Sequence, residues 1–338
     1  MSLYRNLLLV LFLSLLTACS TSGSKQPDWI NAASSGYPEN AYLLGRGQSD
    51  NRALAQDRAR ADLSKIFQLR VIEESEDIVK FESQNLAAKQ TGTTAASSSR
   101  YITTQTDQIV AGIRIAELWQ DPANKQYHAL AVLDRNQTAN DLRQAIQQQD
   151  TATEHEITVA RQQGNLFSQL SHASQALAIQ SGRYENQRML KIIDPTGMGM
   201  PPVYNLASLR TDRDNLLHRV HIELRLLNDP IGGVEPILQG ALAKAGFQHD
   251  TPSKAGYRLE ADLQLDGFTD DKGWYWYRRS LQINLLSQAE AQSQGSHRWD
   301  IKVAAQNPDT AAQRARDAID KTLNVELRDV IIGFGTPQ

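Results

Sequence analysis

One apolar run in the chain has the uninterrupted character of a membrane-directed segment, and it stands at the very start. Leu7 to Leu16 is almost wholly apolar, is preceded by Arg5 and is followed by the small residues Thr17 and Ala18. A positive residue, an apolar core and small residues, in that order, make a secretory signal peptide. The run is about ten residues long, half of what a helix needs to cross a bilayer. Residues 1–18 therefore read as a cleaved signal and not as a permanent span. No later stretch approaches eighteen apolar residues, so the rest of the chain has to fold by burying amphipathic faces. Cys19 is the single cysteine, which rules out a disulfide within the chain.

The residues around that cysteine narrow the reading further. Leu16-Thr17-Ala18-Cys19 places Leu three positions before Cys, with two small residues between. This resembles the bacterial lipobox, and the resemblance implies cleavage before Cys19, a diacylglycerol on its thiol and a third acyl chain on the new amino group. Each buried methylene contributes about 0.8 kcal/mol, so several chains anchor almost irreversibly. Ser20 follows; under the lipoprotein sorting rule Ser permits export to the outer membrane, where Asp would retain the protein at the inner one. Residues 19–28 are then the lipidated cysteine and its tether. Fully extended, residues 20–27 reach roughly 28 Å at ~3.5 Å per residue, which keeps the first folded unit near the membrane surface.

Beyond the tether the periodicity predicts small α+β units. Tyr42 to Gly45 reads as a strand, and Ser49 or Asp50 can cap the helix that follows. Ala55, Ala59, Leu63, Ile66 and Phe67 share one helix face, whose small alanines allow close approach to a sheet. Residues 84–100 are rich in Ala, Thr, Ser and Gly without a period and read as a mobile loop or as the frayed end of the preceding helix. Ile109, Ala111, Ile113 and Ile115 alternate as in a strand, Asp121-Pro122-Ala123-Asn124 is a turn signal, and Tyr127 to Leu133 makes the antiparallel partner. A long polar helical region starts at Asp134 or Asn136. Gly164-Asn165 is a candidate hairpin break within it, and Ser181-Gly182 is a stronger stop.

Three prolines and two glycines between Asp194 and Pro202 mark a boundary. After it, His218 to Leu227 alternates through Val220, Ile222, Leu224 and Leu226, a helix spans Val234 to Ala245 and stops at Gly246, and three further strands centre on Leu263, Ile283 and Ile301. A helix from Thr310 to Asp329 closes the chain. The fold class expected is α+β: two small domains, each an antiparallel sheet with helices on one face, joined by a helical segment. The expected boundaries are 29–135 for the first domain, 136–200 for the helical connector and 201–338 for the second domain.

Motifs that carry chemistry fail on inspection. Gly45-Arg46-Gly47 lacks the third glycine of a dinucleotide fingerprint, since position 50 is Asp50. Those glycines read instead as a tight strand-to-helix turn. His155-Glu156 is followed by Val159 where a zinc-protease motif needs His. His218 and His221, three apart in one strand, point to opposite faces. Glu73 with Glu74 and Asp270 with Asp271 read as solvated charge. No catalytic residue, metal ligand or cofactor is expected. A net charge of −3 argues against phosphate neutralisation and hence against nucleic acid as a partner.

The one concentrated feature is Trp274-Tyr275-Trp276-Tyr277-Arg278-Arg279, four aromatics and two cations at the start of a strand. Alternation sets Trp274 and Trp276 on one face and Tyr275 and Tyr277 on the other. One pair suits a core, and the other suits a surface for a protein partner or a glycan.

Several short blocks resemble a known family. Pro27-Asp28-Trp29, Tyr37-Pro38, Tyr42-Leu43-Leu44-Gly45-Arg46-Gly47, the alanines at 53, 55, 59 and 61, Glu117-Leu118-Trp119-Gln120-Asp121 and Tyr127 to Arg135 occur in the order seen in the Lpp-twenty family of bacterial outer-membrane lipoproteins. The resemblance covers about a third of the chain, from Pro27 to about Arg135. It implies a small α+β domain, no catalytic residues, and kinship with envelope machinery that includes lipoproteins around the flagellar basal body. The helical segment and second domain depart from the short members. The expected function is a non-catalytic outer-membrane lipoprotein on the periplasmic face that acts as an assembly or scaffold component of an envelope structure, flagellar or secretory structures being candidates. Its partners would be the outer membrane through the lipid and an envelope protein, with a homo-oligomer of the chain as a further candidate. The alternative is a peptidoglycan- or glycan-binding lipoprotein.

Overall fold

The computed structural model describes residues 26–67, 112–289 and 292–335. Cys19, the 84–100 segment, Glu73, Glu74, Ile109 and Ala111 lie outside the described residues. The chain divides into two compact units. One comprises residues up to 144 together with 185–200, and the other comprises 145–184 together with 201 onward.

In the first unit, β1 (Tyr42–Ser49), β2 (Arg114–Gln120) and β3 (Tyr127–Asp134) form an antiparallel sheet in the order β1-β3-β2. Of the residues expected to alternate in the second strand, Ile115 lies in β2, Ile113 just precedes it, and Ile109 and Ala111 lie outside the described residues. Helix α1, residues 52–67, covers one face. The central strand β3 is buried on both sides, with Ala129 to Leu133 almost fully excluded from water.

The two glycines of β1 do not make a turn. They lie inside the strand, opposite Ala131 and Ala129. A Cβ on Gly47 would stand 2.1 Å from the Ala55 carbonyl oxygen and 2.3 Å from the Ala59 nitrogen; one on Gly45 would stand 2.4 Å from the Ala59 oxygen. Four small residues on one sheet face therefore let the α1 backbone rest directly on the strands, which is a second reason for glycine in a strand interior. The cap of α1 is Asn51, whose Oδ1 accepts from the Ala53 and Leu54 amides. Ser49 accepts only from Asn51.

On the opposite face sits Trp29, carried by a short 3-10 helix, Asp28–Ile30, and only 1% exposed against Leu130 and Val132. Its indole N–H donates to Glu117 at 2.6 Å, and its carbonyl accepts from the Arg46 guanidinium at 2.7 Å. Tyr37 and Tyr42 meet edge to face at 5.2 Å beside it.

Two long helices follow, α2 (Arg135–Gln162) and α3 (Leu166–Ile193). Asp134 caps the first by accepting from Gln137, and Asn165 caps the second by accepting from Phe167 and Ser168. The break expected at Gly164-Asn165 is real. The stop expected at Ser181-Gly182 is not, and α3 runs through it. A glycine inside a helix costs about 1 kcal/mol, which the surrounding contacts offset. Arg183, 1% exposed, donates to both oxygens of Asp150 at 3.2 to 3.4 Å and to the Pro201 carbonyl at 2.7 Å. Gln180 donates to Asp150 and Thr153 at 3.0 Å. In the first unit Arg143 pairs with Asp194 at 2.5 Å.

The second unit is built on a five-stranded sheet of β4 (His221–Asn228), β5 (Gln248–His249), β6 (Tyr257–Thr269), β7 (Tyr275–Ser287) and β8 (Ser293–Ala305), ordered β5-β4-β6-β7-β8. The sheet is mixed, which corrects the expectation of a purely antiparallel one. Strand β4 runs parallel to both β5 and β6. The reason is the crossover: β4 is followed by a helix, α5 (Val234–Ala245), and a helical connection returns the chain in the same direction. The Gly246 stop holds, with a left-handed φ of 95°.

A helix missed in the sequence, α4 (Leu206–His218), precedes β4. Its cap is Asn205, which accepts from Ser208. His218 thus ends a helix while His221 starts a strand, so the two histidines never shared an element. The last helix is α6 (Pro308–Gly333), capped by Asn307. Helices α5 and α6 pack together on one face of the sheet, over Leu259, Leu263, Leu281, Ile283 and Leu285.

Candidate interaction site

The hairpin between β6 and β7 determines where the aromatic string goes. Asp270 organises its turn: its carboxylate accepts from the Lys272 and Trp274 amides at 3.0 and 2.9 Å, and its amide donates to the Trp274 carbonyl. Gly273 takes the left-handed conformation that closes the turn, at φ 80°. The same carboxylate accepts the Trp276 indole N–H at 2.9 Å. That indole bond, followed by the Trp274 amide, holds the Asp270 carboxyl below its ordinary value. Asp270 is thus the fixed centre of the turn and not merely solvated charge.

Register then assigns the faces. Tyr275 and Tyr277 share theirs with Leu281, Ile283 and Leu285, the side covered by helices. The two rings meet edge to face at 5.2 Å, and Tyr275 lies over Gly267, where a Cβ would strike its phenol. Burial raises the Tyr277 phenol, with Tyr275 adding to it. Trp276 and Arg278 take the opposite face, which, among the described residues, no helix of this unit covers. Trp274 sits just before the strand and is 40% exposed.

The structure adds two residues to the string. Phe268 lies directly opposite Trp276 on β6 and is 38% exposed. Lys302 lies directly opposite Arg278 on β8. The Arg278 guanidinium stands 5.0 Å from the Phe268 ring centre and 4.9 Å from that of Trp276, and the Lys302 ammonium stands 5.6 Å from the Trp276 ring. Cation–π contacts of this kind are worth about 0.5–1 kcal/mol at exposed positions. Arg279 leaves the group: it turns to Asp266 at 2.9 Å and to Gln264 at 3.1 Å. Hairpin arithmetic across the Asp270–Gly273 turn could have paired Phe268 with Trp276. Lys302 comes from a strand with no local sequence link.

A separate cleft of 630 Å³ lies in the second unit between α2, α3 and α4. Charges of both signs line it, Glu154 and Asp212 with Arg161 and Arg219, over a floor that includes Ile157 and Leu209. Neither histidine nor cysteine lines it. Among the described residues no group of three or more His, Cys, Asp or Glu side chains is placed to hold a metal ion. Nor, among them, is any helix long and apolar enough to cross a membrane.

The blocks that suggested a family are drawn together in the first unit. Trp29, Tyr37, Tyr42, Arg46 and Glu117 join in one buried cluster and its polar rim, and Gly45 and Gly47 seat α1. Comparison with known families matches the same segment. Residues 27–134 match the LPP20 lipoprotein family. The residues of that segment named above are packing residues in this fold, and no catalytic family is indicated. The region after the LPP20 segment has no family assigned. No curated protein matches the chain.

Among solved structures, a secreted protein of Helicobacter pylori aligns at 12% identity over 84% of this chain and 98% of its own, with a TM-score of 0.43. A minor lipoprotein of Acinetobacter baumannii aligns at 16% identity over 35% of this chain and 94% of its own, with a TM-score of 0.27. A PelC variant from Paraburkholderia phytofirmans, solved as a dodecamer, aligns at 16% identity over 32% of this chain and 85% of its own, with a TM-score of 0.25.

Proposed function

We propose that this LPP20-family chain is a non-catalytic lipoprotein of the outer membrane that acts as an assembly or scaffold component of an envelope structure. Cys19 carries the lipid. In this reading residues 29–135 serve as the first domain, 136–200 as the helical connector and 201–338 as the second domain. The second domain presents the uncovered face of its sheet to a protein partner, through Trp274, Trp276, Phe268 and Arg278.

The observation that carries the reading is the pairing of exposed Phe268 and half-buried Trp276 with Arg278 on a sheet face that, among the described residues, no helix of this unit covers. Trp and Arg dominate the energetics of protein interfaces. The glycan alternative needs an aromatic face free for stacking. Trp276 has cations 4.9 and 5.6 Å from its ring centre and its N–H is bound to Asp270, which favours a protein partner. Trp274, at 40% exposure, is the residue on which the glycan reading still rests. Sedimentation with cell-wall sacculi separates the two: the scaffold reading expects the chain in the supernatant, and co-sedimentation abolished by Trp274→Ala would replace it with the glycan reading.

A further inference from the structure

On this face of the second unit's sheet, the charges away from the row next to Trp276 are held in ion pairs or hydrogen bonds. Arg258 pairs with Glu223 at 2.8 Å, Arg225 with Glu260 at 3.8 Å, and Arg298 with Asp300 at 3.4 Å. Asp262 accepts from Asn228 and Gln264 at 2.7 Å. In the Trp276-proximal row the register sets Asp266, Arg278 and Lys302 side by side. Asp266 gives its carboxylate to Arg279 at 2.9 Å. Arg278 and Lys302 are left as like charges directly opposite one another, an arrangement that destabilises a sheet. Among the described residues their partners are aromatic rings, not carboxylates. The nearest remaining acid on the turn, Asp270, is engaged by the Trp276 indole and two backbone amides.

We infer that Arg278 and Lys302 form a recognition site for a carboxylate of an acidic segment in the protein partner, with Trp274 and Phe268 receiving apolar neighbours of that carboxylate. This rests on the docking reading above and names the chemistry of its partner. Two cations set opposite one another without a carboxylate partner are a cost to the free protein that binding an anion removes. Guanidinium binds carboxylate through two parallel hydrogen bonds, and an ammonium adds a point charge. Rings beside the pair lower the local polarity and strengthen both contacts.

The test uses the full chain labelled with 5-fluorotryptophan and solubilised in detergent, followed by fluorine NMR. The probe is hexaglutamate; hexalysine, phosphatidylglycerol vesicles and muropeptides are the comparisons. Hexaglutamate should shift the Trp276 signal saturably and less so at high salt. Arg278→Gln and Lys302→Gln should each weaken binding about tenfold, and the double variant should abolish it. Lys302→Glu puts an acid opposite Arg278; it should abolish binding while Tm stays or rises, which separates loss of the site from loss of the fold. The inference is overturned by the absence of a saturable shift, by unchanged binding in the double variant, by a stronger response to vesicles or muropeptides, or by a fall in Tm in Lys302→Glu. If the peptide fails while cell crosslinks from position 274 persist, docking stands and the acidic segment does not. If the peptide binds while crosslinks are absent, the anion site stands and the docking reading does not.

Discussion

Replacing Gly47 by alanine should open the first unit, and the geometry sets the size of the effect. The new Cβ would be 2.1 Å from the Ala55 oxygen and 2.3 Å from the Ala59 nitrogen. An ordinary contact begins at 3.4 Å, so helix α1 has to lift by about 1 Å. Both atoms are backbone, so no rotamer change relieves the clash. A gap of that size forfeits roughly a quarter to a half of each lost van der Waals contact, and Ala55, Ala59, Leu63 and Phe67 are all buried along the seam. Overpacking a well-filled core costs about 1–3 kcal/mol and occasionally more; this site belongs at the upper end. The gain from a stiffer unfolded chain, about 0.4–1 kcal/mol, does not offset it. The matched control is Gly240→Ala in α5, where the added methyl meets nothing within 4 Å; there alanine should stabilise by about 1 kcal/mol. Hydrogen exchange read by mass spectrometry distinguishes the units. Peptides from β3 should lose roughly a hundredfold of protection in Gly47→Ala, since about 1.4 kcal/mol is tenfold, while peptides from α5 stay unchanged. Equal protection of β3 in the variant and the parent would refute the close-packing argument.

Three other perturbations follow. Asp150→Ala strands the buried Arg183 guanidinium, and losing one partner of a buried pair costs about 3–5 kcal/mol; the retained bond to the Pro201 carbonyl puts this case at the lower end, and urea denaturation followed at α3 peptides measures it. Lys302→Glu replaces a like-charge pair by an opposite-charge one and should stabilise the second unit by about 0.2–1 kcal/mol, read as a rise in Tm that shrinks with added salt. Because the Asp270 carboxyl is held below its ordinary value of 3.8, it favours the folded turn above that pH, and this contribution is lost as pH falls through the lowered folded value. The Trp276 indole N–H resonance should therefore stay fixed from neutral pH down to about 4 and move only below it; movement between pH 5 and 7 would contradict the assignment.

Much of the fold was legible where a local signal coincided with the tertiary outcome. Helix α5 was readable with its bounds because periodic apolar residues ended at Gly246, whose conformation stops a helix. The faces of the aromatic strand followed from alternation. Other signals were read in the wrong context. Gly45 and Gly47 look the same in a turn as in a strand pressed against a helix, and only Ala55 and Ala59 across the seam decide between them. Ser181-Gly182 carries a stop signal that burial of Arg183 beside it overrides. Helix α4 is signalled by its Asn205 cap and by Leu209, Leu216 and Leu217, but the neighbouring alternation from Val220 is the stronger local pattern. The mixed sheet was hidden because strand direction depends on the connection through α5 and not on the strand's own residues. Of the candidate site, the string on β7 was visible; Phe268 and Lys302 entered only through cross-strand register.

The most direct test of the docking account is photo-crosslinking in intact cells from single positions around the hairpin. A photoreactive residue at 268 or 274, on the exposed side, should give a discrete adduct with one envelope protein or with a second copy of the chain. The same residue at 277, on the helix-covered side, should give none. Adducts only to glycan strands, equal adducts from 277, or no adduct above background from 268 and 274 would contradict a protein-docking role for this face.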